Sequence, residues 1–433
     1  MTCRGLERGW SHSKFNRKLN CSQGTFDRAP MTAFHTHLCL VSAQATPNLL
    51  PLLDEAWRPR KVVLACSTQM KDAAQALRSV IQTKGGGMVV EMLDLPDAYD
   101  YAALSDTFLT YLAKHEDEHA QESIALNITG GTKLMAVAAQ EVFRAEGKPV
   151  FYVNAETDEV LVIGDKAASQ PLSARLKVHE MLKAHGYSVT TQEPPQVTRE
   201  LRDLTARLID HVASAGRALG AFNTLARGAR DSNLRMELSP AQMGSPELRG
   251  IVALFEDAAQ VNLKGNALVF RNEAARFFAN GGWLEAHVYE ALQSLRGQHG
   301  ALSDVAMGVR ISFAGGARGS SQGNDKNEID VAFLYRNTLH LIECKTANLA
   351  QAGLGDDSKA TEAIYKMESL LKLGGLRTRG MVVDYRGELA RSDANQKRAK
   401  EAGIAIVSGA QLKDLKGNIS RLWLSNRKTA ASA

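Results

Sequence analysis

The chain has 433 residues, a length at which two or three domains are expected rather than one core. Hydrophobic residues make up 44% of it, yet no run of about 18 apolar residues occurs, so we expect no membrane span. A formal net charge of only +5 excludes a uniformly basic nucleic-acid-binding surface. The five cysteines are scattered without CxxC spacing, which favours a reducing, cytoplasmic location over a disulfide framework.

The first 30 residues differ from the rest of the chain. They carry six basic and two acidic residues, and they lack both apolar periodicity and the hydrophobic stretch of a secretory signal. We expect a disordered extension here, with the folded chain beginning near Met31; a basic arm is the alternative. Because this segment holds most of the net charge, any nucleic-acid contact of the remaining chain must be local and groove-like.

Strand and helix patterns alternate from residue 31 to about 165. The predicted strands are 37–41, 61–65, 88–93 and 123–128, and the predicted helices run up to residue 57 and over 71–82, 102–115 and 134–146. Two further strands, 149–154 and 160–164, are expected to form a hairpin. Alternation of this kind predicts a doubly wound, mostly parallel sheet of the Rossmann-like α/β class.

The stretch 166–280 is expected to be a connector followed by a small module. The connector has a helix over 172–184 and a short strand over 187–191. The module has helices at 200–215 and 247–261 on either side of a polar, glycine-bearing middle, and a hairpin around Gly265 that is typical of a wing. The pattern predicts a winged-helix-like module.

A third α/β unit is predicted from 281 to about 425. Its expected elements are a helix at 283–295, a strand at 305–312, a Gly/Ser loop at 315–325, strands at 327–334 and 339–346, a helix at 361–373, a strand at 380–385, a helix at 393–402 and a strand at 404–407.

Two apolar strands of this unit each carry a carboxylate that an ordinary buried strand would avoid. Asp330 lies in the first strand, and Glu343 and Lys345 lie in the second, after a short turn. Alternate side chains of a strand share a face, so Glu343 and Lys345 point the same way. Glu285, on the preceding helix, could bring a third carboxylate to the same place.

Such a set favours the hydrolysis of phosphodiesters. Glu285, Asp330 and Glu343, with the backbone carbonyl of Cys344, could hold one or two Mg²⁺ or Mn²⁺ ions, because hard cations prefer oxygen ligands. The metal would acidify a water molecule and neutralise the scissile phosphate. Lys345 could then position the attacking water or stabilise the charge that develops on the phosphate.

A second constellation lies in the first unit, where a predicted strand ends in Thr129-Gly130-Gly131-Thr132-Lys133 just before a helix. Glycines allow close approach of the backbone, and the start of a helix offers unpaired N–H groups to an anion. Small polar residues also follow the first two strands, and in an open α/β sheet such loops meet at one edge. The spacing of a Walker A loop and that of GxGxxG are both missing, which argues against an NTP-driven enzyme and a dinucleotide oxidoreductase.

Together with residues 40–48, this segment resembles a CARF domain, the CRISPR-associated Rossmann-like sensor of cyclic oligoadenylates. The D…ExK strands resemble the PD-(D/E)XK nuclease superfamily, with Ile329-Asp330 in place of the usual Pro-Asp. From Met31 to about Leu424 the chain resembles the single-chain CARF nucleases of type III CRISPR systems. The domains implied are a CARF sensor at 31–165, the connector and winged-helix-like module at 166–280, and a restriction-endonuclease-like domain at 281–425.

The resemblance also implies ligands and partners. It implies a homodimer that binds a cyclic oligoadenylate, usually cyclic tetra-adenylate, and that cuts DNA, RNA or both in antiviral defence. Lys366, on the helix after the D…ExK strands, falls where the superfamily often keeps a polar residue, and by analogy it contacts the phosphate. The residues implied for the activator are Ser42, Gln44, Ala45, Thr46, Ser67, Thr68, Thr129, Gly130, Gly131, Thr132, Lys133 and Asn154.

Two alternatives remain at this point. One is a ligand-sensing transcriptional regulator whose middle module binds DNA and whose nuclease domain is inactive, although the intact Asp330, Glu343 and Lys345 argue against it. The other is a repair or restriction nuclease whose first domain binds an ordinary nucleotide. Further candidate phosphate contacts are Arg310, Arg318, Lys326 and Lys359.

Overall fold

The computed structural model describes residues 34–164, 168–313, 327–346 and 359–425. The expected extension 1–30, the Gly/Ser loop 315–325, Arg318, Lys326 and the side chain of Lys359 lie outside the described residues. Within the described ranges, no helix is both long and apolar enough to cross a bilayer.

The N-terminal domain is a seven-stranded sheet with helices on its faces, which confirms the predicted doubly wound class. Its strand order is β3-β2-β1-β4-β5-β6-β7, parallel from β3 to β5 and antiparallel from β5 to β7. The elements are β1 (Thr36–Leu40), α1 (Thr46–Leu53), β2 (Lys61–Cys66), α2 (Lys71–Lys84), β3 (Val89–Asp94), α3 (Tyr101–His119), β4 (Ile124–Asn127), α4 (Lys133–Ala145), β5 (Val150–Asn154), β6 (Glu159–Ile163) and β7 (Ala168–Pro171).

The connector differs from the prediction in two respects. Its first residues form the edge strand β7, and its helix α5 (Val178–Ala184) begins six residues later than expected. A long-range contact accounts for the delay: the carboxylate of Asp54 accepts hydrogen bonds from the backbone N–H groups of Ser173 (2.6 Å) and Ala174 (3.1 Å), which holds this stretch extended. The connector's second strand, β8 (Tyr187–Thr190), joins the sheet of the C-terminal domain.

The middle module has the element order of a winged helix. The elements are α6 (Arg199–Asp210), α7 (Val212–Gly228), β9 (Arg235–Glu237), α8 (Pro240–Gly244), α9 (Pro246–Asp257), β10 (Val261–Lys264), β11 (Ala267–Phe270) and α10 (Glu273–Phe277). The wing hairpin is confirmed, and β11 pairs in turn with β9. The polar middle that we expected is instead the long helix α7, which buries Leu219, Phe222 and Leu225 at helical spacing.

The C-terminal domain is a six-stranded mixed sheet of order β16-β15-β14-β13-β12-β8. Its elements are α11 (Trp283–Arg296), β12 (Leu302–Phe313), β13 (Asn327–Tyr335), β14 (Thr338–Lys345), α12 (Lys359–Leu370), β15 (Arg379–Asp384), α13 (Glu388–Arg391), α14 (Asp393–Glu401), β16 (Ile404–Ser408) and α15 (Leu415–Ile419). Strands β12, β13 and β14 are antiparallel, whereas β14, β15 and β16 are parallel.

The N- and C-terminal domains share a hydrophobic core. Helix α5 contributes buried residues that pack in one cluster with Leu77 of α2 and with Ile329 and Leu341 of the C-terminal sheet. Burial of apolar surface is the main driving force for such association. The two domains are therefore joined by packed structure as well as by the chain.

Candidate active site and ligand-binding site

Glu343 is the centre of the carboxylate cluster. Strand β14 buries it to 1% exposure among the apolar residues of the sheet. Its Oε1 accepts hydrogen bonds from Nζ of Lys345 (2.5 Å) and from Nζ of Lys366 (2.6 Å). Among the described residues its Oε2 is buried without a hydrogen-bond partner. The structure thus brings three of the predicted site residues into direct contact, two from β14 and one from α12.

Asp330 faces this group from the neighbouring strand. The antiparallel register pairs Val331 with Ile342, so the next residues, Asp330 and Glu343, come opposite each other. Oδ2 of Asp330 accepts the backbone N–H of Cys344 at 2.6 Å. Burial, and then the negative charge of Glu343, raise the pKa of Asp330 to about 7.

Glu285 enters from the first turn of α11. A kink at Gly281, whose φ of +110° suits glycine, turns the chain into this helix, and a Cβ there would lie 2.6 Å from Oγ1 of Thr346. Burial raises the pKa of Glu285 to about 9, and the negative charges of Asp330, Glu328 and Glu343 add to the effect. Glu285 therefore belongs to the same cluster as the two strand carboxylates.

The positive charge of Lys345 is held by this cluster. Burial lowers its pKa, but the charges of Glu343 and Asp330 outweigh burial and raise it above the ordinary value. Arg310 lies at the edge of the site, where its Nη2 is 3.4 Å from Oε1 of Glu328. Glu328 was missed by the sequence reasoning, although its position two residues before Asp330 on β13 places both on one face.

The donor set suits a hard divalent cation in its chemistry, with three carboxylates and the buried, unpartnered Oε2 of Glu343 as an oxygen acceptor. Nevertheless, no three His, Cys, Asp or Glu side chains of the described residues are arranged to hold a metal ion. The hydrogen bonds give the reason: two ammonium groups hold Oε1 of Glu343, and the Cys344 N–H holds Oδ2 of Asp330. Metal binding would require these contacts to rearrange.

The predicted ligand loops lie together at the carboxyl-terminal edge of the first sheet. Gly130 passes so close to the carbonyl oxygen of Leu40 that a Cβ would overlap it, so only glycine fits here. Thr132 caps α4 by accepting the N–H of Met135 at 3.2 Å, and Lys133, in the first turn, is exposed. The loop after β1 and the loop after β4 are therefore neighbours, and the exposed Lys133 adds a positive charge at the helix N-terminus that follows the second loop.

Some of the predicted contact residues have structural partners. The hydroxyl of Thr129 donates to Oδ1 of Asn127 and accepts the N–H of Val153, each at 2.7 Å. Ala45 is buried, and the hydroxyl of Thr46 points to Sδ of Met181 at 3.5 Å. These partners tie the loops to the domain.

The other predicted contacts lie around the same edge. Ser42 accepts the N–H of Gln44 at 3.3 Å, Ser67 and Thr68 follow β2, and Asn154 ends β5 and accepts the N–H of Glu156 at 3.0 Å. Sequence reasoning missed the buried pair Asn48 and Asn127 beneath the loops, where Nδ2 of Asn127 donates to Oδ1 of Asn48 at 3.2 Å. The signal available in the sequence was an asparagine at the end of an otherwise apolar strand, Asn127, and another in the first turn of an otherwise apolar helix, Asn48.

Gln44 makes an unexpected contact. Its side-chain oxygen accepts the backbone N–H of Leu376, in the C-terminal domain, at 3.2 Å. The next residue, Arg377, donates a hydrogen bond to the carbonyl of Ala155 in the turn after β5. Close by, Nδ2 of Asn337 donates to Oδ2 of Asp158 at 3.0 Å. The ligand edge of the first domain therefore holds the segment that connects α12 to β15.

Comparison with known proteins supports both domain assignments. A family model described as the Card1 CARF domain matches residues 36–181, and one described as the Card1-like endonuclease domain matches residues 272–426. A comparison with curated proteins found no significant match.

Two solved structures are similar over nearly the whole chain. The crystal structure of protein VC1899 from Vibrio cholerae is 26% identical with a TM-score of 0.78, and the match covers 89% of this chain and 97% of that one. Can2 from Sulfobacillus thermosulfidooxidans, solved in complex with cyclic tetra-adenylate, is 24% identical with a TM-score of 0.71, and the match covers 90% of this chain and 99% of that one. With a Card1 CARF domain and a Card1-like endonuclease domain in the predicted order, the chain belongs to the CARF-domain nucleases.

Proposed function

We propose that this protein is a metal-dependent endonuclease that a cyclic oligoadenylate switches on, with cyclic tetra-adenylate as the activator. It would act in the cytoplasm, cutting DNA, RNA or both in type III CRISPR antiviral defence. The observation that carries the proposal is the direct contact between the ligand loops of the CARF domain and the segment that follows the catalytic helix α12.

The activator site follows from charge and symmetry. A cyclic tetranucleotide carries four phosphates, and two copies of Lys133 with two helix N-termini would meet it across a two-fold axis. The Can2 structure contains this ligand, and its fold is shared by the present chain. Exposed apolar side chains on the adjacent helices α3 and α4, Leu109 and Val137, each 47% exposed, support a homodimer that covers them.

The chemistry would proceed at the carboxylate–lysine cluster. Glu285, Asp330, Glu343 and the carbonyl of Cys344 would hold Mn²⁺ or Mg²⁺, which when bound supplies an acidified water and a counter-charge for the phosphate. Lys345 would orient the attacking water and stabilise the charge on the phosphate oxygens. The second ammonium group, from Lys366, would bind a non-bridging phosphate oxygen once it leaves Glu343.

Activation would release a contact between the domains. A ligand that competes for Gln44 frees the N–H of Leu376, and movement of the turn after β5 loosens Arg377. Both changes act on the end of α12, which carries Lys366 to Glu343. The ligand would thus favour the arrangement in which the two contacts are broken and the cluster opens to metal and substrate.

The test is a cleavage assay on purified protein with Mn²⁺. Single-stranded DNA, RNA and supercoiled plasmid are each incubated with a panel of cyclic oligoadenylates and resolved on a gel. We expect cleavage only in the presence of activator, with the strongest response to cyclic tetra-adenylate. Equal cleavage without activator would show that the CARF domain does not control the nuclease. Equal cleavage in EDTA and in Mn²⁺ would show that the nuclease does not depend on a metal ion.

The regulator alternative receives no support from the middle module. Its helix α9, which corresponds to the recognition helix of a winged helix, exposes Glu247, Arg249 and Asp257. Because Asp257 is paired with Arg207 at 3.0 Å, and Glu247 and Arg249 balance each other, this helix lacks the excess of positive charge that binding to DNA phosphates requires.

A further inference from the structure

We propose that a groove between the middle module and the nuclease domain binds the phosphodiester backbone of the nucleic-acid substrate beside the cleavage site. The inference rests on the proposed function, because it assigns a substrate contact to that same active site. It gives the winged-helix module a direct part in substrate binding.

The groove has a volume of about 630 Å³ and a basic lining. Its lining includes Arg217 on α7, Arg386 after β15 and Arg391 on α13. The start of α9 also lines it, where Glu247, the one carboxylate among the described lining residues, lies 3.0 Å from the hydroxyl of Ser245. Glu388 balances the charge of Arg386, so Arg217 and Arg391 against Glu247 leave a local positive charge in a chain whose overall net charge is small.

Arg386 is a fixed part of the groove. Its side chain lies along α7 where that helix has glycines, since a Cβ at Gly216 would be 3.4 Å from its Cγ and one at Gly220 would be 3.7 Å from its Nη1. Its Nη2 is 3.1 Å from Oε1 of Glu388, and the side chain is only 16% exposed. Arg217 and Arg391, by contrast, are exposed at the rim and can reach a ligand. The groove thus combines two exposed guanidinium groups with one that is held in place.

One face of α7 links the groove, at Gly216, to the end of the strand that carries Lys345. Gly216, Gly220 and Asn223 lie on one face of α7, and the amide of Asn223 is 2.9 Å from Oγ1 of Thr346, the residue after Lys345. From Gly216 to Asn223 the helix rises about 10 Å. That distance is about three nucleotide steps of 3.4 Å, so the groove is placed for phosphates a few nucleotides from the scissile one.

The lining indicates recognition of the backbone rather than of bases. No aromatic side chain is among the described residues that line it, so there is no platform on which a base could stack. Guanidinium groups bind phosphate oxygens bidentately, and such contacts position a strand without reading its sequence. We therefore expect the groove to serve DNA and RNA strands of any sequence.

Binding is measured with cleavage-deficient Glu343→Gln protein, so that substrate stays intact. Fluorescence anisotropy of labelled 20-nucleotide DNA and RNA, with cyclic tetra-adenylate present, is recorded against salt concentration. In this background we expect Arg217→Ala/Arg391→Ala to weaken binding about tenfold or more near 0.1 M salt and to lower the log–log salt slope by about 1.4, the effect of two phosphate contacts on a single strand. The matched control, Arg249→Ala/Arg271→Ala, removes two exposed arginines of the same module outside the groove and should bind as its parent does.

The outcomes separate the groove from the proposed function. If the wild-type protein cleaves with activator but the groove variant binds both oligonucleotides like its parent, the groove proposal is wrong and the nuclease stands. An equal loss in the control variant would likewise overturn it, because net charge alone would then explain the effect. Failure of the wild-type protein to cleave any nucleic acid is a failure of the proposed function. Unchanged affinity for cyclic tetra-adenylate in every variant shows that the proteins are folded.

Discussion

Lys366 donates to Oε1 of Glu343 at 2.6 Å, although the two residues lie on different elements and Lys345 already donates to the same oxygen. The contact joins helix α12 to the centre of the carboxylate cluster. Helix α12 leads into the segment that Gln44 and Ala155 of the CARF domain hold. Helix α12 therefore contacts the carboxylate cluster and is connected, through the segment that follows it, to the ligand edge of the CARF domain.

Glu343→Gln should abolish cleavage, by about 100-fold or more, while leaving affinity for cyclic tetra-adenylate unchanged. The amide keeps the shape of the side chain but removes the charge that holds two ammonium groups and would hold the metal. Gel-based cleavage and calorimetric titration of the activator measure the two properties. A variant that retained wild-type cleavage would show that the cluster is not the active site.

Lys133→Ala should have the opposite profile. Loss of a cation at a helix N-terminus weakens binding of the cyclic oligonucleotide phosphates. The activator concentration for half-maximal cleavage should therefore rise about tenfold, which corresponds to a loss of about 1.4 kcal/mol in binding free energy. Cleavage at saturating activator should stay near the wild-type rate. The control is Lys114→Ala, a similarly exposed lysine of α3 that lies away from the ligand loops. An unchanged dependence of cleavage on activator concentration would show that Lys133 does not contact the activator.

Gln44→Ala should raise cleavage in the absence of activator. The substitution removes the oxygen that accepts the N–H of Leu376, and with it one of the contacts that hold α12 in place. Gln44→Glu keeps an acceptor at this position and should behave like the wild type without activator. Basal cleavage of a fluorescent reporter oligonucleotide measures both variants, and equal basal rates in all three proteins would show that the contact does not restrain the nuclease.

Thr346→Val should reduce both stability and turnover, whereas Thr346→Ser should reduce neither strongly. The amide of Asn223 is satisfied when its nitrogen donates to the carbonyls of Ala279 (2.9 Å) and Leu219 (3.1 Å) and its oxygen accepts the hydroxyl of Thr346 (2.9 Å). Without that hydroxyl the buried oxygen of Asn223 has lost its partner, at a cost of about 1–3 kcal/mol.

The effect on turnover has a geometric reason. Ala279 precedes the kink into α11, and Thr346 follows Lys345, so Asn223 fixes the helix of Glu285 against the catalytic strand. Small displacements of catalytic groups lower the rate steeply. Thermal melting and kcat are the measurements. Damage from serine but not from valine would assign the effect to packing of the methyl group instead of the hydroxyl.

The sequence was a good guide to elements whose causes are local. Runs of apolar residues predicted the strands of both large sheets except the edge strand β7, and the hairpin of Asp330 and Glu343 followed from two such runs and a short turn. Contacts between distant residues carry no such signal. Gln44 and Leu376 are 332 positions apart, and nothing in either neighbourhood indicates that they meet. The extra helix α7 was missed because its glycines and polar residues hid the buried face that packing against α9 creates.

Stability should fall with acidification through two buried histidines, one in each large domain. Burial lowers the pKa of His37, on β1, and of His340, on β14, from 6.5 to about 3. The unfolded chain therefore binds more protons than the folded one between these pH values. Above pH 6.5 neither histidine reduces the free energy of unfolding. As the pH falls from 6.5 toward 3, each histidine lowers the free energy of unfolding by about 1.4 kcal/mol per pH unit.

His37→Phe separates this effect from general acid denaturation. The ring of His37 is fully buried, its two nitrogens have no partner within the described part of the chain, and its centroid is 5.1 Å from that of Phe151. Phenylalanine of similar shape keeps the ring packing and cannot be protonated. We expect the variant to match the wild type at pH 7.5 and to lose less stability down to pH 5, measured by urea unfolding of the CARF domain signal in the full-length protein. Parallel losses in the two proteins would show that protonation of His37 does not limit acid stability, because a residue that cannot titrate would then have changed nothing.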